Sequence, residues 1–446
     1  MRAVLLLEYG DDENLQFIKH HTAPVVEKDD DVLIKVKACA LSDLDLQIRR
    51  GELKELVTTP AVIGYEIAGI VTEVGQEVKQ LAVGDEVVGM APLDIASGGY
   101  SEYIVLNQHM VVRKPLVVSH EDAAAAVAGG VRAYTAFHYL MNLVAGETVL
   151  ILNGASAYGH IAIQVAGSLG FRILTTASTA EEMNYLNDLH TDIVRVIDTR
   201  NENLTEAVIE ETGGLGVEGI LEDAWGAGRG LEPLGSGIGA GAGARDEDES
   251  DGDESDEDEG SDGAGDEADG GDAQKRKAGK KASSGDGDDA RDDGADGGSK
   301  DGDASKKDGA GRAKTSKSWS SVAGGRASVA ASSAAADAVR NTQNDLIRCL
   351  AVHGRWVTSY PNLQMDAGDS RLLMFKGATL SFLFEQSWIL SGTQHGRYLH
   401  VMTDLVDKLA NGEIRPRIAR TFPLEQIRKA HRELEVSTVG AVVIKP

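Results

Sequence analysis

The chain has 446 residues, 42% of them apolar, and a formal charge of −27. That length accommodates two domains with sizeable cores, and the charge argues against a general nucleic-acid binder. Two cysteines, Cys39 and Cys349, exclude a disulfide scaffold and a four-cysteine zinc lobe; they fit a reducing compartment, so the cytoplasm is the expected location.

The opening run, MRAVLLLEYGDD, is too short in apolar residues for a signal peptide, and no run reaches transmembrane length, so no membrane association is expected. Residues 1–110 give short strand-like runs at Val32–Lys37, Ile67–Val74, Glu86–Met90 and Tyr100–Leu106. Glycine-containing turns separate them, as in a small barrel-like β domain. From residue 120 helix and strand alternate. Ala123–Ala128 and Tyr134–Leu143 read as helices and Val149–Asn153 as a strand.

That strand breaks at Asn153–Gly154, crosses a small-residue turn to Gly159, and continues as a helix with Ile161, Val165, Ala166 and Leu169 at helical spacing. Strand, tight glycine turn, helix is the start of a dinucleotide-binding unit. The turn lets the backbone approach a pyrophosphate, and the helix N-terminus offers N–H groups and a positive dipole end. Gly154, Ala155, Ser156, Ala157, Tyr158 and Gly159 are therefore candidate cofactor-binding residues. Ser156 stands where G-x-G-x-x-G has its middle glycine, trading room for a hydroxyl donor. An ordinary strand-to-helix turn is the competing reading. His160 reads either as an exposed first-turn residue or as a phosphate contact.

Arg172–Thr176 and Val194–Asp198 follow as strands, Ala180–Leu189 and Asn203–Thr212 as helices, and Gly219–Leu221 as a strand. The second strand runs into Thr175–Thr179 without an acid to accept the ribose 2′-OH of NAD. NADPH is the expected cofactor form, with Ser178 and Thr179 as donors to the 2′-phosphate, although no Arg or Lys lies nearby in sequence. Residues Gly226 to Arg340 then carry 27 acidic and 16 basic residues with Trp319 as the single aromatic. Such a segment cannot bury enough apolar surface to offset its ordering entropy, so it reads as a disordered acidic insertion within a domain. Its Lys275–Lys281 cluster fits either a nuclear localisation signal or self-neutralising linker charge. Asp345–Val352 reads as a helix and Arg355–Ser359 and Thr379–Phe384 as strands. Phe382, Phe384 and Trp388 are expected in the core or a domain interface. The tail reads as two helices, His400–Asn411 and Phe422–Glu435, and a closing strand Ala441–Lys445.

Several runs carry a resemblance: Val36–Ala40 (VKACA), Gly64–Gly69 (GYEIAG), Glu73–Gly75 (EVG), Gly84–Val87 (GDEV), Gly98–Tyr103 (GGYSEY), Gly146–Leu150 (GETVL) and Phe422–Glu425 (FPLE). In this order they resemble the medium-chain dehydrogenase/reductase superfamily, and within it the zinc-free quinone oxidoreductase branch. The resemblance implies an α/β chain, with a GroES-like β-rich domain and a Rossmann doubly wound parallel sheet. The GroES-like domain would span residues 1–120 and return at 391–446. The Rossmann domain would span 121–225 and 341–390, interrupted by the insertion at 226–340.

Where zinc enzymes of the superfamily take a cysteine and the histidine of G-H-E, this chain has Ser42 and Tyr65, and Cys39 has no ligand at tetrahedral-site spacing. No metal is expected. By resemblance, Ser42 and Tyr65 line the active-site floor as donors to the acceptor oxygen, Asp45 orients from behind, and Thr135 touches the nicotinamide. The plainer alternatives are backbone satisfaction, a solvated loop carboxylate and helix packing. Two functions stay open. One is NADPH-dependent hydride reduction of a quinone or enone. The other is a catalytically weak binding protein whose acidic insertion recruits a basic partner. A second copy of the chain, as a homodimer, is the remaining partner the reading leaves open.

Overall fold

The computed structural model describes residues 1–189, 191, 193–222, 342–361, 363–437 and 439–446. The predicted insertion 226–340, with Lys275–Lys281, lies outside them.

The N-terminal part contains β1 (Ala3–Leu6), β2 (Leu15–Ile18), β3 (Asp31–Leu41), α1 (Asp43–Arg50), β4 (Glu66–Val74), β5 (Glu86–Met90), β6 (Tyr103–Asn107) and β7 (Val111–Arg113). Next come α2 (His120–Tyr134), β8 (Thr148–Ile151), α3 (Gly159–Ser168), β9 (Arg172–Ala177), α4 (Ala180–Asp188), β10 (Ile193–Asp198), α5 (Leu204–Glu211) and β11 (Val217–Glu222). After the insertion follow α6 (Gln343–Cys349), β12 (Leu350–Thr358), α7 (Ala367–Lys376), β13 (Thr379–Phe382), α8 (Ser387–Leu390), α9 (His395–Asn411), β14 (Ile418–Pro423), α10 (Ile427–Val436) and β15 (Ala441–Lys445).

β3 organises the first sheet. Val32, Ile34 and Val36 alternate inward along its first half, and Ala38 to Leu41 are all buried because α2 covers the opposite face. The sheet runs β14-β15-β3-β4-β5-β7, with β6 paired to the first half of β3. The second sheet runs β10-β9-β8-β11-β12-β13, every pair parallel. Counted from β8, this is the 3-2-1-4-5-6 order of dinucleotide-binding sheets, whose ligands lie beyond the carboxyl ends of the strands. The insertion leaves one such end, at Glu222 of β11.

Some elements depart from expectation. The two helices read at 123–128 and 134–143 are one: α2 continues through Gly129–Gly130 into a π-helical turn, Thr135–Met141. Those glycines are points of close approach, not breaks. A Cβ on Gly130 would lie 2.5 Å from Leu405 of α9, and one on Gly129 3.2 Å from Ile161 of α3. The helix read at 345–352 ends at Cys349, because Leu350 already pairs with Val217 of β11. Residues 418–423 form a strand that pairs in parallel with β15. Trp388 is buried, whereas Phe382 is 56% exposed on β13, the strand at the edge of the sheet. Among the described residues no helix is long and apolar enough to cross a membrane.

Candidate functional site

The glycine turn lies at the carboxyl end of β8. Asn153 takes φ +53° and swings the chain against β9. A Cβ on Gly154 would meet Thr175 Oγ1 at 2.0 Å, and one on Gly159 would meet the Asn153 carbonyl at 2.3 Å, so packing demands both glycines. Ser156 closes the turn on itself: its N–H donates to the Asn153 carbonyl at 3.0 Å and its Oγ accepts from the Gly159 N–H at 2.9 Å. The Ala155 carbonyl accepts from the Gly440 N–H at 3.1 Å. The parallel bridge between Ser156 and Gly440 turns the Ala157 amide towards the Gly440 carbonyl, and the Tyr158 amide stands at the positive end of α3. An amide at the N-terminal dipole end of a helix suits the phosphate part of a dinucleotide.

His160 is fully buried, neither exposed nor a phosphate contact. Its Nδ1 meets the Ser156 carbonyl at 2.7 Å and its Nε2 accepts from the Arg417 N–H at 2.9 Å. Burial lowers its pKa to about 4, which keeps it neutral.

Ser178 and Thr179 follow β9, beside the turn, with their hydroxyls engaged. Ser178 donates from N–H at 2.6 Å and from Oγ at 3.0 Å to Glu182, and Thr179 Oγ1 accepts from the Glu182 N–H at 3.1 Å, capping α4. Arg200, which sequence distance hides, comes to the neighbouring end of β10 and pairs with Asp198 at 2.7 Å. The Thr135 hydroxyl is engaged: it donates to the Val131 carbonyl at 2.6 Å and accepts from Trp388 Nε1 at 2.8 Å.

Ser42 and Asp45 come together at the start of α1 as a capping box. Asp45 Oδ2 accepts from the Ser42 N–H at 2.9 Å and from its hydroxyl at 3.3 Å, which accounts for both residues locally. Yet both are buried, and Asp45 Oδ1 has no partner within bonding distance. Burial pushes the Asp45 carboxyl up to about 7, while the Ser42 amide, the nearby Tyr100 and Ser42 hydroxyls and the Gly64 amide pull it down. Tyr65 points into the β-rich core with its hydroxyl unpartnered, and burial, then Asp45, raise its pKa.

A group the sequence reading missed joins the two domains here. Tyr158 of the turn donates its hydroxyl to Glu66 Oε1 at 2.9 Å. Burial, then the charge of Asp45, pushes Glu66 up to about 8, against hydrogen bonds from Tyr158 and Ser42. The Arg132 guanidinium lies 4.7 Å above the Tyr158 ring and reaches Glu385 at 3.0 Å, with the two side chains 5% and 2% exposed. A void of about 10 Å³ is lined by Arg132, Tyr158, Gly159, Leu152, Leu221 and Leu383. A larger groove of about 520 Å³ lies elsewhere, against Tyr134, His138, His400 and Lys408, and holds none of the predicted residues.

Two signals pointed to this group. A lone arginine in the apolar run Ala123–Ala136 demands a buried partner, and the glutamate of Gly64–Tyr65–Glu66 sits in a strand that is otherwise apolar at that end. Among the described residues no group of three or more His, Cys, Asp and Glu is placed to hold a metal ion.

Residues 28–116 match the alcohol dehydrogenase GroES-like domain, and residues 313–444 match the family described as zinc-binding dehydrogenase. Quinone oxidoreductase-like protein 1 of Mus musculus is 30% identical over 432 residues, 96% of this chain and 94% of that one. Quinone oxidoreductase of Homo sapiens is 31% identical over 225 residues, 50% of this chain and 66% of that one. Among solved structures, Escherichia coli quinone oxidoreductase complexed with NADPH aligns over all of both chains, with a TM-score of 0.66 at 20% identity.

Proposed function

Since the chain belongs to the medium-chain dehydrogenase/reductase superfamily, among its quinone oxidoreductase-like members, we propose that this oxidoreductase reduces a quinone or enone with NADPH and without zinc. The observation that carries the proposal is the turn Asn153–Gly159, which sets the Tyr158 amide and the end of α3 at the carboxyl edge of a 3-2-1-4-5-6 sheet, beside buried carboxyls.

In this reading the Tyr158 amide and the positive end of α3 hold the pyrophosphate, and the ribose end lies over Ser178, Thr179 and Arg200. The reduced nicotinamide supplies the hydride. Ser42, Asp45 and Tyr65 supply buried hydrogen-bonding groups around the acceptor side, Asp45 with a proton to give near neutral pH. An electron-poor acceptor needs no Lewis acid, only orientation and a proton source. The compartment proposed is the cytoplasm, with Lys275–Lys281 as a nuclear address, and a second copy would use the open edge at β13.

Fluorescence titration of the purified protein with NADPH and NADH tests this. Saturable binding with NADPH favoured is the expected result, and no binding at millimolar nucleotide overturns it. Elemental analysis is expected to find no stoichiometric zinc. The second reading, a catalytically weak protein that recruits a basic partner through the acidic insertion, draws on one observation. The Arg132–Glu385 and Tyr158–Glu66 contacts fill the seam where an acceptor would lie.

A further inference from the structure

We propose that Ser156 limits how tightly the turn holds nucleotide: its hydroxyl occupies the Gly159 amide that a phosphate oxygen would otherwise take, so removing that hydroxyl tightens binding. This rests on the NADPH reading above and names the residue that sets its affinity.

The turn spends its own amides. Ser156 N–H donates to the Asn153 carbonyl at 3.0 Å, the bridge to Gly440 takes up the Ala157 amide, and Gly159 N–H donates to Ser156 Oγ at 2.9 Å. Gly159 is the first residue of α3, so its amide lies in the positive end of the helix dipole. An oxygen placed there satisfies the amide whether it belongs to a hydroxyl or to a phosphate. The charged oxygen makes the stronger bond. It has to displace the hydroxyl first, and that exchange cancels part of the gain. A glycine at position 156, as in G-x-G-x-x-G, has no oxygen to set against the amide.

The backbone of the turn is fastened, so the exchange falls to the Ser156 side chain alone. A backbone N–H can only donate, so the 2.9 Å contact from Arg417 N–H makes His160 Nε2 the acceptor and leaves the ring proton on Nδ1. Nδ1 then donates to the Ser156 carbonyl at 2.7 Å, which the His160 amide also reaches at 3.3 Å. One turn further along α3, the Gln164 side chain donates to the Arg415 carbonyl at 3.2 Å and accepts from the Arg415 N–H at 2.8 Å. Gly440 N–H holds the Ala155 carbonyl at 3.1 Å. The returning C-terminal segment therefore grips the peptide groups on both sides of Ser156. The Ser156 side chain is half-buried, and its hydroxyl leaves the amide by a single χ1 rotation, with no movement of backbone or domain.

Ser156→Ala and Ser156→Gly test this in the full chain, by fluorescence titration with NADPH and by thermal unfolding without nucleotide. The Kd for NADPH should fall about tenfold in both variants, the worth of one hydrogen bond that no longer has to be broken on binding. Without nucleotide both variants should melt at lower temperature than the wild type, because the Gly159 amide has lost its acceptor. Affinity and stability thus move in opposite directions, whereas a serine with a purely structural role would lose both. Ser156→Ala removes one oxygen only, and it decides the matter if Ser156→Gly does not fold. Unchanged or weaker binding in Ser156→Ala overturns the proposal, weaker binding meaning that the hydroxyl donates to phosphate. If the wild type binds no NADPH at millimolar concentration but Ser156→Ala does, the proposed function fails and the competing hydroxyl stands. If neither binds, both are overturned.

Discussion

Arg132 and Glu385 face each other almost without solvent, and each makes the other's burial tolerable. Removing one partner leaves an uncompensated charge, so Arg132→Ala should cost about 3–5 kcal/mol by urea unfolding, while Arg132→Met with Glu385→Gln should recover most of it. Glu66 gives a pH dependence with a definite sign. Its folded value, about 8, lies above its ordinary 4.5, so the folded chain holds a proton that the unfolded chain gives up between them. That contribution is full below about pH 4.5 and is lost as pH rises towards 8. Stability measured from pH 5 to 8 should therefore fall less steeply in Glu66→Gln than in the wild type. The residue scale is also where sequence reasoning saw least. Ser42 and Asp45 were each named from the resemblance alone, and the structure joins them in a capping box. Glu66, Tyr158, Arg132 and Glu385 come from distant positions, and no spacing rule reports a contact of that kind. Thr135 lies one turn along from Arg132, and its hydroxyl meets Trp388, another contact between distant positions.

At the scale of elements the sequence was far more informative. Strand-forming runs bounded by turns are local signals, so β8, β9 and β10 were found within a residue or two. The failures have physical causes. Gly129–Gly130 read as a break because glycine weakens an isolated helix, but α2 is held by its neighbours. The same observation yields a test. Gly130→Val would drive a branched side chain into Leu405 and should destabilise the fold by about 1–3 kcal/mol through overpacking, read as a lowered urea midpoint with an unchanged slope. β14 was missed because its residues, Ile418–Pro423, are partly exposed and include Arg420, leaving no apolar alternation to read.

For the whole molecule, the sequence motifs pointed to both sheets, and their strand order now stands on backbone pairing. The insertion joins the end of β11 to α6, so excising about Ala240–Ala335 and closing the gap with a short Gly/Ser linker should leave thermal unfolding unchanged or slightly raised. Loop-closure entropy grows only with the logarithm of length. A molten deletion variant would mean that these residues belong to the core. If the insertion shields the carboxyl edge of the sheet, the same variant should reduce quinone faster.

The position of β15 bears on how the molecule is made. Val442, Val443 and Ile444 pair with Leu41, Ala40 and Cys39, and Leu424 and Ile427 fill the same core as Val4 and Leu6. The first sheet thus waits for residues that the ribosome adds after the entire nucleotide-binding unit. During synthesis the early strands emerge with the second half of β3 unpaired on one side, a template for the wrong partner, while the second sheet already has all its strands. The nascent chain is therefore exposed to chaperones through these earlier strands, and the first sheet is completed after the second.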